Sequence, residues 1–502
     1  MPLLTDLAAA LPHAEHRQTA GVEVKDITCD SRRVQGGDLF VAVPGVSVDG
    51  HDYIPEALRA GAVAVVAERL VPALEGVPTI LVPNAREAEA YLHATLRGFP
   101  AAKMRMVGVT GTEGKTTTVR LLARILEAAG ETVGSIDTVA AIIAGREIAT
   151  GAHTTTPDAP DTQRLLAEMV SQGVSTAVVE ATSHGLAMHR VTACAFDAAV
   201  VTNVTHDHLN YHGSWEAYLD AKAMLFEGLS TSPRKPGVPK VAVTNADDAS
   251  FERLRVVPAD IHLSYGLDPI ADVTARDVQS TVQGLKLVVT GLDGRQIRLK
   301  SPLVGAFNVY NILAAVALAW AWNLDETAIT EGVGSFRGVT GRMERILRGQ
   351  PFEVYIDFAH TPNALRRALA SLRETTRGKL WVVFGCAGLR DRAKRPTMGR
   401  IAAEIADGVV LTAEDPRTES VDAIIEEIAR GAEQAGCQED VGYWRIPDRA
   451  EAIAFALQRA AEGDTVVITG KGHEPTMCYG TVEYPWSDHA AVNTALAALG
   501  YG

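Results

Sequence analysis

The sequence predicts an α/β protein of three domains. Three observations predict it. A strand, a glycine loop and a helix follow one another between Met104 and Gly130. Short apolar strands alternate with helical stretches before and after that unit, the pattern of sheets covered by helices. The chain's 502 residues are too many for one ordinary domain. The divisions fall at 1–100, 101–338 and 339–502, the last beside the Gly-rich stretch Phe336–Arg342.

Residues 1–100 read as a small α/β domain. Leu39–Val43 is a buried strand between the Gly36-Gly37 turn and the polar loop Asp49-Gly50-His51. Ile54–Gly61 reads as a short helix, and Ala62–Ala67 and Thr79–Val82 as strands. Ser31 and the 46–48 loop lie beside strand ends, where ligands often sit and where solvated polar residues are equally at home. By itself this region names no chemistry.

The central region carries the most informative motif. The apolar run Met106–Val109 is followed by Gly111-Thr112-Glu113-Gly114-Lys115-Thr116-Thr117. Val119, Leu122, Ile125 and Leu126 then recur at helical spacing, with Gly130 where a helix C-cap belongs. That is the setting in which a phosphate-binding loop is credible. Backbone N–H groups and the helix N-terminus suit the anion, Lys115 suits the β/γ-phosphates, and Thr116 suits Mg²⁺. The motif is the shorter G-T-x-G-K-T form, because Val109 stands where the longer pattern has glycine. The plain alternative, a glycine turn with a surface lysine, explains less of the stretch.

Three later stretches bear on the same site. Ala152–Pro157 is a threonine-rich loop that suits phosphate or sugar hydroxyls and equally suits an ordinary turn. Thr176–Glu180 is a strand ending in an acid, where a second Mg²⁺ ligand is expected. Ala198–Asn203 is a strand followed by His206, His208 and His212, and three histidines in seven residues raise the case for an active site. The next helix starts at the N-cap Ser214 and lines up Trp215, Tyr218, Leu219, Leu225, Phe226 and Leu229. Lys222 falls inside that stripe, so its own helix aims it at the core. Lysines usually snorkel to water. A buried one loses its proton more readily, and a neutral amine can add CO₂ to become a carbamate, an anionic metal ligand. Residues 255–300 alternate like β-hairpins, and 305–311 opens the apolar helix Ile312–Trp322.

Beyond the second boundary, strands at Glu353–Asp357, Leu380–Phe384, Gly408–Thr412 and Thr465–Thr469 each end in a charged or glycine loop. The loops are 357–360, 385–392, 414–417 and 470–474. In a parallel sheet they share the edge where ligands bind. Their arginines suit carboxylates, which guanidinium grips with two hydrogen bonds, or are simply solvated.

Composition sets outer bounds. The net charge of -14 disfavours a nucleic-acid partner. Five scattered cysteines without a C-x-x-C pair argue against a disulfide frame or structural zinc and fit a reducing cytoplasm. No stretch reads as a signal peptide or an 18-residue apolar span, so no membrane insertion is expected.

Taken together the residues resemble the Mur ligase family, and within it the branch that adds the third amino acid of the peptidoglycan stem. The resemblance runs through Asp30-Ser31-Arg32, Gly111–Thr117, Thr155-Thr156-Pro157, Ser183-His184, 207–213, Lys222, Asn308, Arg342, Asp357 with Ala359-His360, 390–396, Asp415-Pro416-Arg417 and Gly470–Glu474. It covers essentially the whole chain. It implies an N-terminal UDP-binding α/β domain, a central P-loop-type ATPase domain and a C-terminal Rossmann-like domain. It implies an ATP- and Mg²⁺-dependent cytoplasmic monomer. The activity implied is joining a diamino acid to UDP-N-acetylmuramoyl-L-Ala-D-Glu through an acyl phosphate.

The resemblance also implies roles. Cys29, Ser31, Val46, Ser47 and Val48 hold the uridine diphosphate; Gly111–Thr117, Asn308, Arg342 and Asp357 form the nucleotide site. Mg²⁺ is held by Thr116 and Glu180, and a second ion by His208 and carbamylated Lys222. Lys115, Lys222 and His208 are the residues implied in catalysis. Thr154, Thr155, Thr156, Thr182 and Arg190 contact the muramoyl substrate. Arg390, Glu414, Asp415, Pro416, Arg417, Gly470 and Glu474 surround the incoming amino acid.

There are departures. The family's Asp-Asn-Pro-Arg motif is here Glu414-Asp415-Pro416-Arg417, and its Gly-Gly-Asp-Arg-Asp loop is 387–391, Ala-Gly-Leu-Arg-Asp. Met188, Thr182 and Thr340 replace a usual glutamine, serine and proline. Arg417 suits the far carboxylate of meso-diaminopimelate, whereas Asp415 suits the ammonium of lysine or ornithine. Two other classes compete: a P-loop kinase or ATPase, which gives Lys222 and the C-terminal loops no task, and a folylpolyglutamate synthase, against which Asp30-Ser31-Arg32 argues.

Overall fold

The parallel strands at the centre of the three larger sheets are apolar runs such as Ala64–Ala67, Ala198–Val201 and Leu380–Phe384, buried on both faces. The structure is a computed structural model, and the described residues are 1–45, 48–148, 150, 155–205, 207 and 209–502, with Leu209 and Asn210 described by backbone alone. Val46, Ser47, Thr154, His206 and His208, all marked by the sequence, lie outside the described residues.

The chain forms two compact units, 1–274 with 313–329, and 275–312 with 330–502. In the first unit, a sheet of the order Glu15–Arg17, Thr79–Leu81, Ala64–Ala67, Leu39–Val41, Ile27–Thr28 packs against the helices Leu4–Ala8 and Ala85–Leu96. Only its first pairing is antiparallel among those described. A second sheet of the same unit runs Ile261–Gly266, Val241–Asn245, Ala198–Val201, Arg105–Thr110, Thr176–Glu180, Val133–Ile136, all parallel. The hairpin Ala141–Ile143 and Arg146–Ile148 closes its far side. Arg105–Thr110 has Thr176–Glu180 on one side and Ala198–Val201 on the other, so the strand order reverses there. A crevice opens at the carboxyl ends of strands at such a point.

The hairpin reading of 255–300 is half right. Gly284–Gly291 and Gln296–Ser301 pair antiparallel, but Ile261–Gly266 runs parallel to Val241–Asn245. A parallel partner needs a crossover, which the short helix Phe251–Leu254 supplies. The apolar helix begins at Asn308, four residues before the expected Ile312, and ends at Ala321.

In the second unit the sheet order is Glu344–Arg345, Glu353–Asp357, Thr465–Thr469, Leu380–Phe384, Gly408–Leu411, Tyr443–Arg445. All neighbours after the first pair are parallel. Helices Pro362–Thr375, Lys394–Ile405 and Val421–Gln434 cover one face, and Arg449–Arg459 and Asp488–Ala498 the other. The loops after its parallel strands therefore share one edge, as expected. Among the described residues no helix is long and apolar enough to cross a membrane.

Candidate functional site

The phosphate loop is built from Arg105–Thr110 and the helix Lys115–Ala128. Gly111 has φ +146°, a conformation side chains rarely adopt, and a Cβ there would overlap the Thr202 hydroxyl. The loop is pinned from the neighbouring strand end. Thr112 N donates to Asn203 O at 2.7 Å and Glu113 N to Asn203 Oδ1 at 3.2 Å. Thr202 Oγ1 and Asn203 Nδ2 both donate to Glu113 O. Neither Thr202 nor Asn203 was given a role from the sequence, although both end a strand beside the loop strand, which was the available signal.

Glu180 is buried at the end of its strand, with one oxygen accepting Thr116 Oγ1 at 2.8 Å, Thr138 Oγ1 at 3.0 Å and Thr138 N at 3.1 Å. Lys115 Nζ donates to Thr112 O at 2.9 Å and lies 3.7 Å from the other Glu180 oxygen. A carboxylate, two hydroxyls and an ammonium thus meet at the helix N-terminus. The carboxylate and hydroxyl oxygens fit a hard cation such as Mg²⁺, and the Lys115 ammonium suits phosphate oxygens. Among the described residues no group of three or more His, Cys, Asp or Glu forms a metal cage.

Lys222 lies on the helix Trp215–Thr231 and is 1% exposed. Its Nζ donates to Gly111 O at 2.6 Å and sits 4.3 Å from the centre of the Tyr218 ring. Burial, and then the charge of Lys115, push its ammonium well below the ordinary lysine value. The residue that helical spacing aims at the core therefore ends on the phosphate loop, in a state that favours the neutral amine a carbamate needs. Tyr218 turns its hydroxyl to Thr112 Oγ1 at 3.1 Å. His212 Nε2 is 3.1 Å from Ser183 Oγ.

Thr156 and Thr182 meet: their hydroxyls are 3.0 Å apart, Thr182 N donates to Thr156 Oγ1, and Thr156 Oγ1 donates to Glu180 O. Arg190 donates to Thr156 O at 2.9 Å and pairs with Asp158 at 3.1 Å. Thr155 is half-buried beside them. These residues stand together around the strand end that bears Glu180. In the N-terminal part, Ser31 is buried in a short turn capped by Asp30, whose carboxylate also pairs with Arg32. Cys29 is exposed. Val48 is exposed.

Asn308, Arg342 and Asp357 belong to the second unit. Arg342 stacks its guanidinium 4.5 Å from the Phe358 ring, with Nε unpartnered. Burial raises the Asp357 carboxyl despite Arg342 and three backbone N–H groups. Asn308 spends its side chain locally, donating to Val304 O at 2.8 Å and accepting from Asn311 at 2.9 Å.

On the edge of the second unit's sheet, the loops 385–392, 414–417 and 470–474 are joined. Gly388 N donates to Asp415 O at 2.9 Å, and Leu389 N to Glu419 Oε1 at 2.5 Å. Asp415 and Arg417 both have positive φ, at 40° and 53°. Arg417 N donates to Cys478 O, and Gly480 N to Arg417 O, which holds that conformation. Asp415 Oδ1 accepts Lys471 Nζ at 2.8 Å and Cys478 N at 2.9 Å. Glu474 accepts Lys471 Nζ at 2.5 Å. Glu414 is buried, its Oε2 has no partner among the described residues, and burial raises its carboxyl to about 7. Gly470 lies against the Glu414 side chain, and Pro416 is buried. Arg390 is exposed, and neither it nor Arg417 makes an ion pair among the described residues. Of the loop arginines expected to suit a substrate carboxylate, Arg392 instead pairs with Glu427; buried Arg395, in the following helix, pairs with Glu419 and Glu427. Lys471, Glu419 and Arg395 were not singled out from the sequence, where a charged residue carries no mark of its partner.

Three family models match this chain in succession: "Mur ligase family, catalytic domain" over 23–96, "Mur ligase middle domain" over 109–319, and "Mur ligase, glutamate ligase domain" over 341–472. The chain is 45% identical over 512 residues to a UDP-N-acetylmuramyl-tripeptide synthetase of Roseiflexus sp. (strain RS-1), covering 99% of each. It is 41% identical over 484 residues to a UDP-N-acetylmuramoyl-L-alanyl-D-glutamate–2,6-diaminopimelate ligase of Bacillus licheniformis, covering 96% of each. A solved structure of a ligase with the same description matches at 33% identity, with a TM-score of 0.67 and 97% of both chains covered.

Proposed function

The chain belongs to the Mur ligase family, a family of ATP-dependent ligases, and from that premise we propose that it joins meso-diaminopimelate to UDP-N-acetylmuramoyl-L-Ala-D-Glu. The observation that carries the ligase reading is Lys222, buried and held on the carbonyl of Gly111 in the phosphate loop. A simple kinase has no use for it. The diaminopimelate reading is supported by Arg417 and by the names of the full-length relatives. The domain division 1–100, 101–338 and 339–502 is part of the proposal, and the three matched spans each fall inside one of these ranges.

In the proposed mechanism the D-Glu carboxylate attacks the γ-phosphorus of ATP, and ADP leaves. Lys115 and the loop N–H groups stabilise the charge on the phosphoryl oxygens. Thr116 and Glu180 would hold one Mg²⁺, and His208 with Lys222 as its carbamate a second, and these ions would supply further neutralisation of phosphate charge. Thr155, Thr156, Thr182 and Arg190 hold the muramoyl dipeptide. The deprotonated amine of the diamino acid then attacks the acyl phosphate carbon. The tetrahedral intermediate collapses, phosphate leaves, and an amide remains.

Phosphate release from ATP tests this. It is expected to require both the UDP-dipeptide and an amine. Release at the same rate without amine would support a kinase or ATPase instead.

A further inference from the structure

The Glu414-Asp415-Pro416-Arg417 loop poses a charge problem. A far carboxylate on the substrate suits Arg417 but is opposed by an acid two residues away. Asp415 is 6% exposed, and an unpaired carboxylate at that depth would be costly. It is not unpaired. Lys471 is fully buried, and its Nζ bridges Asp415 Oδ1 at 2.8 Å and Glu474 Oε2 at 2.5 Å. The same Asp415 oxygen takes Cys478 N at 2.9 Å, so the side chain is fixed from two directions. Burial alone would discharge Lys471, but Glu474 and Asp415 more than offset it and its ammonium is raised above the ordinary lysine value.

We propose that Lys471 is a specificity-determining residue: it neutralises Asp415, so that this loop presents the charge of Arg417 to the substrate and accepts a diamino acid whose far end bears a carboxylate. The proposal rests on the diaminopimelate reading above. Asp415 then differs from the family's asparagine in charge, while either side chain offers an oxygen able to accept Cys478 N. That oxygen is retained, and Lys471, which Asp415 shares with Glu474, offsets part of the added negative charge. An amine-only side chain gains nothing from an aspartate already held by a lysine.

The test is the ratio of kcat/KM for meso-diaminopimelate to that for L-lysine, measured on the full chain with ATP and the UDP-dipeptide. Lys471→Met leaves Asp415 unopposed, and the ratio is expected to fall about tenfold or more. Lys471→Met combined with Asp415→Asn removes both charges and keeps the acceptor for Cys478 N. Its ratio is expected to return to within about threefold of the parent, because the two charges cancel. The double variant also guards against a single variant that does not fold, since the only acid it leaves without Lys471 is Glu474, whose side chain is 23% exposed against 8% for Asp415. A rise of about tenfold in the double variant means that Asp415 reads a substrate ammonium, and overturns the proposal. A fall means that Lys471 itself grips the substrate carboxylate, and also overturns it. An equal loss with both amines in Lys471→Met marks a purely structural lysine. Failure of the diaminopimelate reading shows separately, as a parent ratio below one.

Discussion

Lys222 and Glu414 are both buried ionisable groups, one beside the phosphate loop and one beside the amino-acid loops. Burial pushes each toward its neutral form. For Lys222 the neutral amine is the reactive form. Lys222→Ala is expected to abolish turnover while leaving the unfolding transition cooperative, with partial rescue by formate, a small carboxylate able to occupy the space of the carbamate. Full activity in that variant would remove the carbamate from the account. For Glu414 the consequence is a pH-dependent stability. Its carboxyl pKa is raised from 4.5 to about 7, so the folded chain binds this proton more tightly than the unfolded chain does. Its contribution is therefore most favourable below the unfolded value and is lost as pH rises through about 7. Glu414→Gln is expected to change stability little at low pH and to add about 3 kcal/mol once the parent carboxyl is ionised. Denaturant unfolding of both proteins from acid to mildly alkaline pH checks this, and a gain independent of pH contradicts it.

At the scale of elements, the sites hang on strand ends, and buried polar contacts set those ends. Arg449, at the start of the helix Arg449–Arg459, grips Asp488 with two bonds of 2.7 Å and donates to Thr469 O and Ala413 O. Those two carbonyls immediately precede Gly470 and Glu414. Arg449→Met is expected to cost about 3–5 kcal/mol, because it leaves Asp488 buried without its partner. It is also expected to raise the KM for the diamino acid more than that for ATP; equal changes in both would contradict the positioning role. Much of this scale was legible in the sequence. The phosphate loop, the strand ending in Glu180 and the inward turn of Lys222 all follow from local pattern, since spacing of 3.6 or 2 fixes which way a side chain points. What was not legible depends on distant partners. Nothing near Asn203 announces that it closes the loop at Thr112 and Glu113. Nothing near Arg395 announces Glu419 and Glu427. The parallel course of Ile261–Gly266 was hidden because a short strand reads alike in either direction. From the sequence Asp415 suits a substrate ammonium, because its partner Lys471 lies 56 residues away along the chain.

At the scale of the whole molecule, likeness to Mur ligases extends over nearly the full chain, and the phosphate loop and the amino-acid loops each form in their own unit. The central claim is that these parts make one amide bond to one kind of amine. The most direct test is to incubate the protein with ATP, Mg²⁺, UDP-N-acetylmuramoyl-L-Ala-D-Glu and equal amounts of meso-diaminopimelate, L-lysine and L-ornithine, and to weigh the product by mass spectrometry. The account predicts a single new species, heavier than the dipeptide substrate by diaminopimelate less one water. A lysine or ornithine adduct in its place, or ADP formed with no adduct, would contradict it.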